Sequence, residues 1–195
     1  NPNANAKYLL GMFSKMKQEN WTAEYLLQKT NEQIAFMETD EQFKSTRGPS
    51  KGEITKAFQS EIEAYKKSIG AIKLFDDYKN MMFENHRYDF DDMINWVIEM
   101  FETNPDVLMG YFERYQYLLV DEFQDTNGAQ MKIVSLLSSY DDTPNTFVVG
   151  DDDQSIYRFQ GASVDNMIHF KDKYLAFDLK QICLKINYRS TQGIL

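Results

Sequence analysis

The run Tyr117-Leu118-Leu119-Val120-Asp121-Glu122-Phe123-Gln124-Asp125-Thr126 decides how this chain is read. Tyr117 to Val120 is an apolar stretch of strand length, and two carboxylates follow it at once. In open α/β sheets, ligands bind in the crevice outside the carboxyl ends of the strands, so acids placed there face whatever is bound. Taken alone, Asp121-Glu122 supports two readings: a surface turn after a core strand, or the acidic end of a nucleotide-binding strand of Walker B type.

The pattern downstream favours alternating strands and helices, hence an α/β layer on a parallel sheet. Thr126-Asn127 is placed to cap a helix whose inner face carries Ile133, Val134, Leu137 and Tyr140, with Asp141-Asp142-Thr143-Pro144 closing it. Thr146 to Val149 reads as a second strand, Ser163 as the cap of a helix reaching about Lys171, and Gln181 to Ile186 as a third strand. Upstream, residues 1–112 show no period-2 alternation and read as helical. After the loop Arg47-Gly48-Pro49-Ser50-Lys51-Gly52, the residues Ile54, Phe58, Ile62, Tyr65, Ile69, Ile72, Phe75, Tyr78 and Met82 mark one long amphipathic helix, weakened but not ended by Gly70. A further helix starts at an Asp89 cap, with Asp91 and Asp92 in its first turn and Phe90, Ile94, Val97 and Phe101 on its inner face. Asn104-Pro105 stops it.

Composition narrows the classes. The hydrophobic share is 43%, with 14 Phe and 12 Tyr, so a folded core is expected. No apolar run approaches the length of a membrane span, and the single cysteine, Cys183, forms no internal disulfide. The expected setting is cytoplasmic and reducing, with no membrane partner. A net charge of -9 argues against a broad basic surface, so any nucleic-acid contact must be local. Asp151-Asp152-Asp153 does not fit a calcium loop, because Ile156 and Ala162 stand where Gly and Glu are needed. His86 and His169 lack companion ligands and carry no assigned role.

Four segments carry a resemblance. Asp121-Glu122-Phe123-Gln124-Asp125-Thr126-Asn127 resembles motif II, D-E-F/Y-Q-D-T-N, of the UvrD/Rep family of superfamily 1 DNA helicases. The run from Val148 to Ala162 is similar to the family's motif III, and Leu184-Lys185-Ile186-Asn187-Tyr188-Arg189-Ser190-Thr191 to its motif IV. Tyr88-Asp89-Phe90-Asp91-Asp92-Met93 resembles the run that returns from the family's helical insertion. The fold class implied is α/β, a helical subdomain plus a partial RecA-like parallel-sheet core of the P-loop NTPase kind. Residues 1–110 would be the helical insertion, 111–178 part of the first RecA-like motor domain, and 179–195 the start of the second.

By the same resemblance the cofactors are ATP and Mg²⁺, and the partner is single-stranded or partial-duplex DNA. Asp121 would hold Mg²⁺, a hard cation that takes oxygen ligands, and Glu122 would activate the attacking water. Gln154 would sense the γ-phosphate, Tyr188 would stack on adenine, and Arg189 would reach the γ-phosphate across the interdomain cleft. Tyr157 and Phe159 would face DNA, since aromatic rings give single-stranded bases a stacking surface. Gln160 stands where the family often has Arg, which puts one charged contact in doubt. The activity implied is translocation on single strands and duplex unwinding driven by ATP hydrolysis, with 3′ to 5′ polarity by analogy.

The phosphate-cradling run G-x-x-x-x-G-K-S/T is absent from the sequence. In the family it precedes the helical insertion, so this chain reads as an internal piece of a longer protein, expected to be monomeric and inactive alone. Two alternatives stay open. Asp121, Glu122, Asp125 and Asp151 would suit a two-metal nuclease if they cluster, and Lys51, Lys56, Lys66 and Lys67 would suit a non-enzymatic helical module that docks on protein or duplex DNA.

Overall fold

The computed structural model describes residues 2–47, 50–139, 144–151, 170–175, 179–191 and 193–194. Among these the chain is mostly helical, with a small parallel two-stranded sheet, an α/β arrangement. The helices are α1 (Pro2–Gln18), α2 (Ala23–Thr39), α3 (Lys56–Ile72), α4 (Phe75–Glu84), α5 (Phe90–Thr103), α6 (Pro105–Arg114) and α7 (Gly128–Leu137). The strands are β1 (Leu118–Val120) and β2 (Thr146–Val148), paired in parallel with Leu119 opposite Phe147.

Helix boundaries follow their caps. Asn20 takes a left-handed φ of 52°, reversing the chain after α1, and the Thr22 hydroxyl then accepts from the Tyr25 N–H to open α2. Asp89 and Asp92 form a capping box at α5, each side chain accepting the other's backbone N–H. Asn104 ends α5, and Pro105 starts α6 at a position where its missing N–H costs nothing. At α7 the cap is Asn127, again in a capping box, with Gln130.

Two clusters bury the helical part. Phe13 and Met16 of α1, Ala23 of α2, Ile72 of α3 and Phe75 of α4 form one; Ile34 and Met37 of α2 with Ile62 of α3 form the other. A third lies beneath the sheet, where Val120 and Val148 pack against Phe123, Phe170 and Tyr174. Contacts of α5 with α1 and α7 join the helical part to the sheet side.

Three expectations are corrected. The single helix drawn through Ile54 to Met82 is two helices, parted at Lys73-Leu74, where Leu74 N–H donates to the Ala71 carbonyl three residues back. That tightened turn still lets Ile72 and Phe75 bury together against α1, so tertiary packing rather than propensity sets the break. Phe90 does not line the inner face of α5: it is 86% exposed, and Ile98 and Phe101 fill that role, because the start of α5 meets α1 through Asp91 and Asp92, which bond Ser14 and Lys17. Gln181 to Ile186 is not a strand; it pairs with none among the described residues, and Ile182, Leu184 and Ile186 stay exposed. The expected Ser163 cap and the inward-facing Tyr140 lie outside the described residues.

Candidate functional site

The residues that follow β1 form a turn pinned to the end of β2. Val149 N–H donates to the Val120 carbonyl at 2.8 Å, and the Val149 carbonyl accepts from Phe123 N–H at 2.8 Å. Both ends of the Asp121-Glu122 pair are thus pinned to one residue after β2, and the pair is looped out between them. The chain turns there by placing Glu122 at φ 49°, ψ 43°, a left-handed conformation uncommon for a residue with a side chain. Such strain persists only where the surroundings over-determine it, and it concentrates at working sites. Beyond it, Phe123 is a plug in the third cluster, 1% exposed. The Thr126 hydroxyl closes the turn on the Phe123 carbonyl at 2.7 Å, and Asn127 starts α7.

Asp121 and Glu122 are both exposed at the carboxyl end of β1. Asp121 Oδ1 accepts from Glu122 N–H at 2.9 Å, which leaves Oδ2 without a protein partner among the described residues. A solvent-facing carboxylate at a strand end suits Mg²⁺, which keeps several waters and binds through one or two carboxylates together with substrate phosphates.

Gln124 is the residue that sequence reasoning left without a role. It is buried, 2% exposed, and its Nε2 donates to Glu122 Oε2 at 2.6 Å while its Oε1 accepts from Asp151 N–H at 3.1 Å. Gly150 makes room for it: a Cβ there would lie 2.8 Å from Gln124 Oε1. No local signal marks this amide, because both of its partners are defined by the turn and by the neighbouring strand.

Tyr188 and Arg189 are brought to no such position. Asn187 Oδ1 accepts from the Arg189 and Ser190 N–H groups, which shapes a local turn, and Tyr188 is 89% exposed. Neither bonds to Asp121 or Glu122 among the described residues. Gln154, Tyr157, Phe159 and Gln160 lie outside the described residues. The carboxylates set aside for a two-metal nuclease give no cluster: among the described residues no three Asp, Glu, His or Cys side chains are grouped to hold a metal. Lys51, Lys56, Lys66 and Lys67 are all exposed, and Lys66 pairs with Glu38 at 3.3 Å.

A second polar cluster joins α1 to α5. Lys17 is buried, with its Nζ 2.8 Å from both Asp89 Oδ2 and Asp92 Oδ1. Burial, the largest single influence, disfavours its charge, yet hydrogen bonds to Asp89 and Asp92 and their charges together lift its pKa above the ordinary 10.5. At Asp89 burial likewise opposes ionisation, and Lys17 with the cap N–H outweighs it, holding the carboxyl below the ordinary 3.8. A cue existed in the sequence, since Lys17 falls four residues after Phe13 on the buried stripe of α1.

Comparison with known proteins supplies the context. Residues 4–175 match the model of the UvrD/REP helicase N-terminal domain. The chain is 42% identical over 123 residues to the ATP-dependent DNA helicase PcrA of Leuconostoc citreum, and 43% identical over 122 residues to proteins of that name from Staphylococcus epidermidis and Staphylococcus aureus. In each case the match covers 63% of this chain and 16% of the relative. No helix among the described residues is long and apolar enough to cross a membrane. The strand, strained turn and capping box of residues 118–130 are thus set within a domain-wide match, and the chain belongs to the UvrD/REP helicase N-terminal domain family.

Proposed function

We propose that this chain is part of an ATP-dependent DNA helicase motor that couples hydrolysis of Mg-bound ATP to translocation on single-stranded DNA and duplex unwinding, with 3′ to 5′ polarity. The observation that carries the reading is the looped-out acidic pair at the carboxyl end of a parallel strand, with Glu122 strained and clasped by a buried amide. Asp121 is the magnesium ligand and Glu122 the residue that orients and deprotonates the attacking water. When bound, the metal neutralises charge on the phosphates. Gln154 reads the terminal phosphate, Tyr188 and Arg189 hold the base and the γ-phosphate, and Tyr157 and Phe159 stack on DNA. Residues 1–110 serve as the helical insertion, 111–178 as part of the first RecA-like motor domain, and 179–195 as the start of the second. The setting is the cytoplasm.

The test is DNA-stimulated ATPase in the full-length gene product. General-base contributions run to about 10²–10⁴-fold, so Glu122→Gln should lower kcat by about a hundredfold or more while nucleotide binding persists. Retention of wild-type turnover by Glu122→Gln would discard the assignment. The chain of residues 1–195, without a G-x-x-x-x-G-K-S/T run, should neither hydrolyse ATP nor bind it in the micromolar range. Micromolar Mg-ATP binding by titration calorimetry would contradict that.

A further inference from the structure

Gln124 occupies a place that packing alone does not explain. A buried amide has two donors and an acceptor to satisfy, and most such groups find nearby backbone. Here the two ends of the amide reach two separate features. Nε2 donates to Glu122 Oε2 at 2.6 Å, two residues back, and Oε1 accepts from Asp151 N–H at 3.1 Å, on the far side of the β1–β2 pairing. The approach is also built from the other side, because Gly150 has no Cβ, and one placed there would meet Gln124 Oε1 at 2.8 Å, Gln124 N at 3.2 Å and Phe123 Cβ at 3.3 Å. The Glu122 side chain, set on a left-handed residue at a strand end and exposed to water, has no other hydrogen-bond partner among the described residues. Gln124 therefore fixes which carboxylate oxygen is engaged and which is open.

We infer that Gln124 is a positioning residue: its amide, anchored on the Asp151 N–H in the turn after β2, holds the Glu122 carboxylate in the orientation from which it activates water. The inference rests on the reading of Glu122 as the residue that activates water. No covalent step passes through Gln124. Its effect is to keep Glu122 in one orientation, fixed through the Asp151 N–H.

Steady-state DNA-stimulated ATPase of the full-length gene product tests this with Gln124→Leu, which removes both bonds, and Gln124→Glu, which keeps an acceptor for Asp151 N–H but sets an oxygen against the Glu122 carboxylate. Loss of a hydrogen bond to a charged group, or a misplacement near 1 Å, is worth about ten- to a hundredfold in rate, so both variants should lose about tenfold or more in kcat. KM for ATP should stay within about twofold, because substrate binding is untouched. In a Glu122→Gln background, Gln124→Leu should cause almost no further loss, since residues that act as one unit are non-additive. Thermal unfolding of each variant separates misfolding from mispositioning. Should Gln124→Leu fail to fold, Gln124→Glu carries the same comparison. Unchanged kcat in either folded variant, or an undiminished Gln124→Leu loss on top of Glu122→Gln, overturns the proposal while the hydrolysis reading stands. ATP turnover indifferent to Glu122 overturns both.

Discussion

Glu122 illustrates how a single residue can be chemically legible and conformationally opaque. Its type and place after four strand-like residues marked it as a candidate, but its left-handed backbone follows from Val149 bonding to both Val120 and Phe123. The same local geometry makes Gly150 more than a flexible spot. Placing a methyl group 2.8 Å from a pinned Gln124 Oε1 and 3.2 Å from Gln124 N forces the amide off its partners. Gly150→Ala should destabilise the fold by about 1–3 kcal/mol, as overpacking commonly does, and should lower kcat in the full-length product together with Gln124→Leu. An alanine variant with unchanged denaturation midpoint and unchanged turnover would show that the amide has room to move.

At the scale of elements, the caps and breakers were readable and the joints were not. Asp89, Asn104-Pro105 and Asn127 sit where short-range chemistry puts helix ends, and the structure confirms each. The division between α3 and α4 was missed because the apolar stripe runs unbroken through it, and periodicity does not register a turn tightened by one residue. Two glycines separate local from tertiary constraint. Gly70, inside α3, has nothing within 4 Å of a built Cβ, so Gly70→Ala should stabilise by about 0.5–1 kcal/mol through helix propensity alone. At the start of α7 the situation reverses: a Cβ on Gly128 would lie 2.6 Å from Glu19 Oε2 and 2.9 Å from the Glu19 carbonyl, against the end of α1. Gly128→Ala should therefore cost about 2 kcal/mol. Urea denaturation of the two variants checks the pair, and equal effects would refute the packing of α7 on the α1 terminus.

For the whole molecule, the Lys17 cluster ties α1 to the helix leading toward the sheet, and its charges make stability depend on pH. Lys17 titrates above its ordinary value, so its contribution is full below pH 10.5 and fades as pH rises through its folded pKa. Asp89 titrates below its ordinary value, so its contribution is full above pH 3.8 and fades as pH falls through its folded pKa. Lys17→Met removes the link; with Asp89 and Asp92 still partly hydrated, the cost near neutral pH should be about 1–3 kcal/mol. The melting temperature of the variant should approach that of the wild type at both extremes, and a gap that persists unchanged both far below pH 3.8 and far above pH 10.5 would refute the linkage. The sequence by itself determined the helical first part, both strands, the caps and the acidic pair with its family, because these depend on spacing over a few residues. Only the tertiary structure decided the strain on Glu122, the clasp of Gln124, the burial of Lys17 and the exposure of Phe90 and Tyr188. Each of these depends on which distant segment supplies a partner or a covering face, and neighbours along the chain carry no record of that.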